Sequence, residues 1–228
     1  MRMRGGSIQR ESHNGKGAKD AVPRAPKMIV AVLAVALIVL VVLSVSLWSL
    51  ERDYHDAKYK AQHALVSILS DSLVYAASET STIAHSSNPE PWRLAHAAMS
   101  EGLVQQSEYA AWAIQVMYPE NSTESSTFDS LSNALATTYT TVGQYRSNLQ
   151  LAMEAGETYV VNETVAGLFN EVANRLGNLS ALVHVGLEGS RDWIKDPFSS
   201  VKLMDLSTIR DEAAELENVN AVLIHLLI

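Results

Sequence analysis

MIVAVLAVALIVLVVLSVSLWSL, residues Met28 to Leu50, runs for twenty-three residues without a charge. Its first sixteen residues, Met28 to Leu43, are all apolar. Coiled as a helix, the stretch reaches about 34 Å, enough to cross a hydrocarbon core of about 30 Å. Helices of soluble proteins seldom stay apolar on every side for so long. The reading is therefore a transmembrane helix over residues 28–50. Lys27 marks one interface and Trp48, whose amphipathic ring suits the headgroup zone, marks the other. The competing reading is a cleaved signal sequence ending at Ser44-Val45-Ser46, but its apolar run would normally be only about 7–15 residues.

Charge on the two sides of this stretch sets the expected orientation. Met1 to Lys27 holds seven basic and two acidic residues, net +5, whereas everything after it is net −13. Basic flanks stay in the cytoplasm. The expectation is a cell-membrane protein with one span, a cytoplasmic N-terminus and its C-terminal part outside. Residues 1–27 mix Gly, Pro and charges, which predicts a disordered basic tail. Its cations suit anionic headgroups, but they are scattered, so the topology signal alone explains them.

Residues 51–228 read as helices throughout. No Gly or Pro interrupts Met28 to Asn88, so the span is expected to run on into the first outer helix. Along that helix Tyr54, Ala57, Ala61, Leu65, Ile68, Ser72, Tyr75 and Ile83 trace the expected core stripe. Asn88-Pro89-Glu90-Pro91 stops it, since proline belongs to turns and helix starts. A second helix, about Trp92 to Tyr118, offers Trp92, Ala95, Met99, Leu103, Gln106, Ala110, Ala113 and Met117, and Pro119 ends it. The third has the cleanest pattern: Phe128, Leu131, Leu135, Thr138, Val142, Tyr145, Leu149 and Ala152 alternate steps of three and four, a heptad seam of coiled-coil type. Ser126 and Asp129 suggest a capping box before it, and Gly156 a C-cap after it. The fourth stripe is Val161, Val165, Leu168, Val172, Leu176, Leu179, Val183 and Leu187. The fifth is Leu206, Ile209, Ala213, Leu216, Asn220, Leu223 and Leu227, with Thr208 and Asp211 as a capping box.

Nothing shows the alternation of a strand. Short links between long helices favour antiparallel neighbours. The expected fold class is all-α: a transmembrane helix continuing into an antiparallel four-helix bundle, with a C-terminal helix added. Chain direction then places the turns at Asn88–Pro91 and Gly156 far from the membrane, and the links at Glu120–Thr127 and Ser190–Ser200 near it. Trp193, Ile194 and Phe198 in the latter link would close the base of the core or touch headgroups.

Chemistry is sparsely signalled. With no cysteine, thiolate metal sites, cysteine nucleophiles and disulfides are excluded. Seven scattered histidines form no i, i+4 pair; His85 and His96 flank one turn, but two ligands do not make a metal site. No serine-hydrolase elbow and no phosphate loop occurs. The reading is a non-enzyme without cofactor or metal. An acidic domain repels phosphates, so no nucleic-acid partner is expected. Asn121, Asn162 and Asn178 match the glycosylation pattern, with Asn121 best placed in a loop. Gln106 and Thr138 interrupt apolar stripes, either as register-setting polar residues or as the lining of a small polar pocket between helices.

An anchored outer helical bundle resembles the periplasmic ligand-binding domains of bacterial and archaeal chemoreceptors and sensor kinases. The resemblance spans Met28 to about Glu188 and rests on topology. It implies small-ligand sensing. Those receptors carry a second span, and Ala221 to Ile228 gives only eight apolar-rich residues, too few to cross. The leading expectation is therefore a membrane-anchored interaction module of the cell envelope, binding another envelope protein or itself through helix faces. The alternative is an extracytoplasmic small-ligand sensor working with a separate transducer. A pilin-like subunit is a third reading, weakened by the missing β-rich head.

Overall fold

The computed structural model describes residues 24–84, 89–189, 201 and 204–228. These form five helices and, among the described residues, no strand: α1 (Arg24–Ala84), α2 (Glu90–Gln115), α3 (Thr123–Ala155), α4 (Glu163–Gly189) and α5 (Leu206–Leu227). The all-helical expectation therefore holds. Most of the basic tail, His85, Asn88, Trp193, Ile194 and Phe198 lie outside the described residues.

The chain divides into two compact units, Met1–Glu51 and Arg52–Ile228. In the first, α1 supplies the one helical stretch among the described residues that is long and apolar enough to cross a membrane. Leu37, Leu40, Leu47 and Trp48 are all about two-thirds exposed, so this stretch has no protein core of its own. It is compatible with a single membrane anchor.

In the second unit, the ends of the helices follow from local chemistry. Pro89 precedes α2 and Pro91 sits in its first turn, where a missing N–H leaves nothing unpaired. The third helix is capped by Ser122, whose hydroxyl accepts from the Ser125 N–H at 3.0 Å, four residues before the Ser126 of the expected box. Gly156 ends α3 with φ +72°, a left-handed conformation that favours glycine. The Asn162 side chain accepts from the Val165 N–H at 2.8 Å and so starts α4. Asp205, rather than Thr208, caps α5: it accepts from the Thr208 N–H at 3.1 Å and from the Thr208 hydroxyl at 2.8 Å. An aspartate that can bond two groups of the first turn outcompetes a threonine already inside the helix.

The core faces of α3, α4 and α5 follow the sequence pattern. Phe128, Leu131, Leu135, Val142, Tyr145 and Leu149 are completely buried, and Val172, Leu176, Leu179, Ile209, Leu216 and Leu223 join them, with Phe169 in the core where the stripe placed the half-buried Leu168. The core faces of α1 and α2 do so only in part. Ser72, Ile83 and Ala110 of the expected stripes are buried, but Tyr54, Ile68, Tyr75, Trp92 and Met99 are exposed, while Gln62, Ser70, Thr80, Arg93, Ser100 and Ser107 are buried with Val66, Leu69, Leu73, Ala97, Val104 and Ile114. The reason is polar pairing across the helices. Thr80 and Ser100 hydroxyls bond at 2.7 Å, and the Ser107 hydroxyl donates to that of Ser72 at 2.7 Å. Small hydroxyls that satisfy one another can be buried at little cost and let two backbones approach closely.

The pairings also order the helices. On α1 and α2, Ser72 meets Ser107 and Thr80 meets Ser100, so the two run in opposite directions. Ser180 on α4 donates to the Ser70 carbonyl at 2.9 Å. The α2 and α3 helices are joined by Glu101 with Arg146, and by Gln115 with Asp129 at 3.0 Å. The fifth helix contacts both α3, through Asn220, and α4, through the Arg175–Glu212 ion pair at 3.1 Å.

Candidate functional site

Polar groups inside a helical core are where function would be looked for first. Thr138 is completely buried on α3, donating to the Ala134 carbonyl at 2.8 Å and accepting from the Asn220 amide at 2.8 Å. Asn220 donates as well to the Leu216 carbonyl at 2.9 Å, while its own oxygen has no partner. This pair fills its space and ties α5 to α3. Gln106, in contrast, is exposed on α2. It lines a shallow groove with Leu65, Ile68, Gly102, Tyr109 and Ala110. The structure therefore does not bring Gln106 and Thr138 together.

Asn121, Asn162 and Asn178 are all exposed. Asn121 precedes α3 in a turn, Asn162 is engaged in capping α4, and Asn178 lies within α4. Lys27 lies within α1, and Trp48 is exposed on the same helix. His96 on α2 pairs closely with Glu79 on α1. Among the described residues, no three histidine or acidic side chains are grouped as a metal site requires.

Sequence reasoning missed a polar cluster where α2 begins. Arg93, only 3% exposed, donates to the Tyr159 carbonyl at 2.9 Å and lies 3.7 Å from the Glu90 carboxylate. Glu90 in turn accepts from the Tyr159 N–H at 2.8 Å. The guanidinium Nε and Nη1 and the neighbouring Tyr145 hydroxyl are buried with no well-formed hydrogen bond, and Arg93 and Tyr145 have chiefly each other to turn to. Burial raises the Tyr145 phenol above its ordinary value, with the Arg93 charge working against it. Tyr145 packs edge-on against both Tyr159 and Phe169. A buried arginine gives no hydropathy signal, so an arginine one step from a tryptophan at a helix start reads as surface.

The outer face of α2 was missed for the opposite reason. Most of its charged side chains are engaged elsewhere: Arg93 is buried, Glu90 accepts from the Tyr159 N–H, Glu101 meets Arg146, His96 meets Glu79, and Glu108 is only partly covered, with its carboxyl raised by desolvation. The fully exposed positions from Ala95 to Val116 are all uncharged. Met99, Tyr109, Trp112 and Val116 are each more than half exposed. Contiguous uncharged surface with exposed aromatic rings is uncommon on a helix that faces water. A separate groove between α3 and α5, lined by Ser130, Asn133, Thr137, Arg210 and Glu217, is polar and belongs to ordinary surface. Comparison of the chain with protein-family models, curated proteins and solved structures finds no match.

Proposed function

We propose that this chain is a non-enzymatic, membrane-anchored interaction module of the cell envelope. Residues 28–50 hold it in the bilayer, the basic tail lies in the cytoplasm, and residues 51–228 stand outside as an antiparallel four-helix bundle with α5 added. One observation carries the reading: every fully exposed position of α2 from Ala95 to Val116 is uncharged, Met99, Tyr109 and Trp112 among them. Water-facing helix surfaces are ordinarily charged, and uncharged aromatic-rich patches are what protein interfaces use. The test places a photo-reactive amino acid at Met99 or Trp112 in cells, with Ser147 on α3 as the exposed comparison site. Crosslinks to protein from the α2 sites and none from Ser147 support the module. Silence at both α2 sites sinks it.

A second reading, a small-ligand sensor acting with a separate transducer, draws support from the Arg93 nitrogens left without a well-formed hydrogen bond beside the Tyr145 hydroxyl. A carboxylate would satisfy both. Small carboxylates raising the melting temperature of the wild type, and not of Tyr145→Phe, would favour it over the module.

A further inference from the structure

We propose that α1 carries a second, outward seam over residues 54–68, on which two copies of this chain pair in parallel within one membrane. The inference rests on the interaction reading above and names the partner.

The seam is Tyr54, Ala57, Ala61, Ala64 and Ile68, stepping 3, 4, 3, 4, and all five are exposed. The inward seam of the same helix is a different set: Val66, Leu69, Leu73 and Ala76 are completely buried. A helix that packs on one side needs only one apolar stripe, and its remaining positions are normally charged. Here the second stripe has the period of a two-stranded coiled coil, and its three alanines permit close backbone approach. Asp71 is the next position in the register and is exposed. Two facing acids would repel, so the seam ends at Ile68. Alongside it, Gly102, Gln106 and Tyr109 of α2 line the groove that Leu65 and Ile68 border from α1. The flank next to the seam is therefore uncharged too.

Charge identifies the occupant as a second copy. With Tyr54, Ala61 and Ile68 at the first heptad position, Asp53 and Lys58 occupy the two flanking positions that face each other between parallel, in-register helices. Asp53 of one copy then meets Lys58 of the other, and two-fold symmetry makes the pair twice. No like charges meet at the flanks: Lys60 faces Leu65, and Glu51 faces Ser46. Lys58 is half-buried, its ammonium 5.7 Å from the Tyr118 ring of its own chain, and would leave that ring to reach Asp53 of the second copy. Two copies anchored in one bilayer stand the same way up and meet at high effective concentration, which favours a parallel pair over an antiparallel one.

The full chain lacks cysteine, so single-cysteine variants report contact directly. Full-length Ala61→Cys and Ile68→Cys in native membranes are oxidised with copper phenanthroline beside Ala214→Cys, exposed on α5. The expected disulfide-linked dimer is about tenfold more abundant at the α1 sites, because a specific contact raises local concentration. Adding Asp53→Lys is expected to cut that yield about fivefold, and Asp53→Lys with Lys58→Asp to restore it, as flanking charges set register and partner. Circular dichroism checks that each variant keeps its helix content. Equal crosslinking at Ala61 and Ala214, or charge variants without effect, overturns the pairing. A monomer at both α1 sites, with Met99 still crosslinking to a different protein, overturns it too and leaves the interaction module standing.

Discussion

A buried amide oxygen without a donor costs about 1–3 kcal/mol, more than a typical hydrogen bond returns. Asn220 holds such an oxygen in the core while its nitrogen binds Thr138 and the Leu216 carbonyl. Replacing it with leucine, close in volume, removes the unpaired atom and leaves Thr138 its bond to Ala134. Asn220→Leu is therefore expected to raise stability by about 1 kcal/mol in urea unfolding; a loss of that size would show that the amide stabilises rather than selects the α3–α5 register. Asp205 makes a prediction about pH. Bonds from Ser207 and Thr208 lower its carboxyl from 3.8 to about 2 in the folded state. A depressed carboxyl stabilises above its unfolded value and loses that contribution as pH falls toward the folded one. Asp205→Asn keeps a capping oxygen but does not titrate. The gap in melting temperature between wild type and Asp205→Asn is expected to be steady from about pH 7 to pH 5 and to narrow progressively toward about pH 2. A gap that stays constant through that range would mean the ionised carboxylate adds nothing to the cap.

The helices divide by how their apolar stripes relate to the core. In α3 and α5 the stripe is the core face, so Leu131, Leu135, Leu149, Ile209, Leu216 and Leu223 were legible from spacing alone. In α1 and α2 apolar residues lie on both faces, and the inner one mixes Val66, Leu69, Leu73, Val104 and Ile114 with hydroxyls bonded in pairs, so spacing alone found Ser72, Ile83 and Ala110 but placed Tyr54, Tyr75 and Trp92 inside. Hydropathy cannot see a hydroxyl that will find a partner on another helix. It also cannot see Arg93, whose burial depends on the Tyr159 carbonyl sixty-six residues away. The caps were legible to within a turn: Gly156 stood where expected, and Asp205 was overlooked because the competing Thr208 lay nearer the stripe. Substitution separates the two kinds of stripe. Leu135→Ala is expected to cost about 2–5 kcal/mol, as for a buried leucine whose neighbours cannot close the hole. Trp112→Ala, on the outer face of α2, is expected to change unfolding free energy by less than about 0.5 kcal/mol in dilute detergent. A large loss at Trp112 would mean that this face is already covered within one chain.

At the scale of the whole chain, the decisive fact is that opposite charges lie on opposite sides of one uncharged stretch. Residues 1–27 are net +5, and the remainder is net −13. Orientation in a membrane follows the basic residues close to the span, and those within about 15 residues of its ends weigh most. Lys16, Lys19, Arg24 and Lys27 lie within that distance before Met28, whereas Arg52, Lys58 and Lys60 follow Leu50 among Glu51, Asp53 and Asp56. The balance of basic residues near the ends is thus four against three, and Arg2, Arg4 and Arg10 add to the same side farther from the span. The orientation is therefore expected to be firm but reversible. Protease added to intact cells should remove an epitope at Ile228 and spare one at Met1. Reversing Arg24 and Lys27 to glutamate lowers the near count on the tail side to two against three. It should make a substantial fraction of the N-terminal epitope accessible from outside. Alkaline washing should leave both variants in the membrane, since the span itself is untouched. If the wild-type chain instead washes free, or its tail is digested from outside, the anchor and every interface argued from it lose their physical basis.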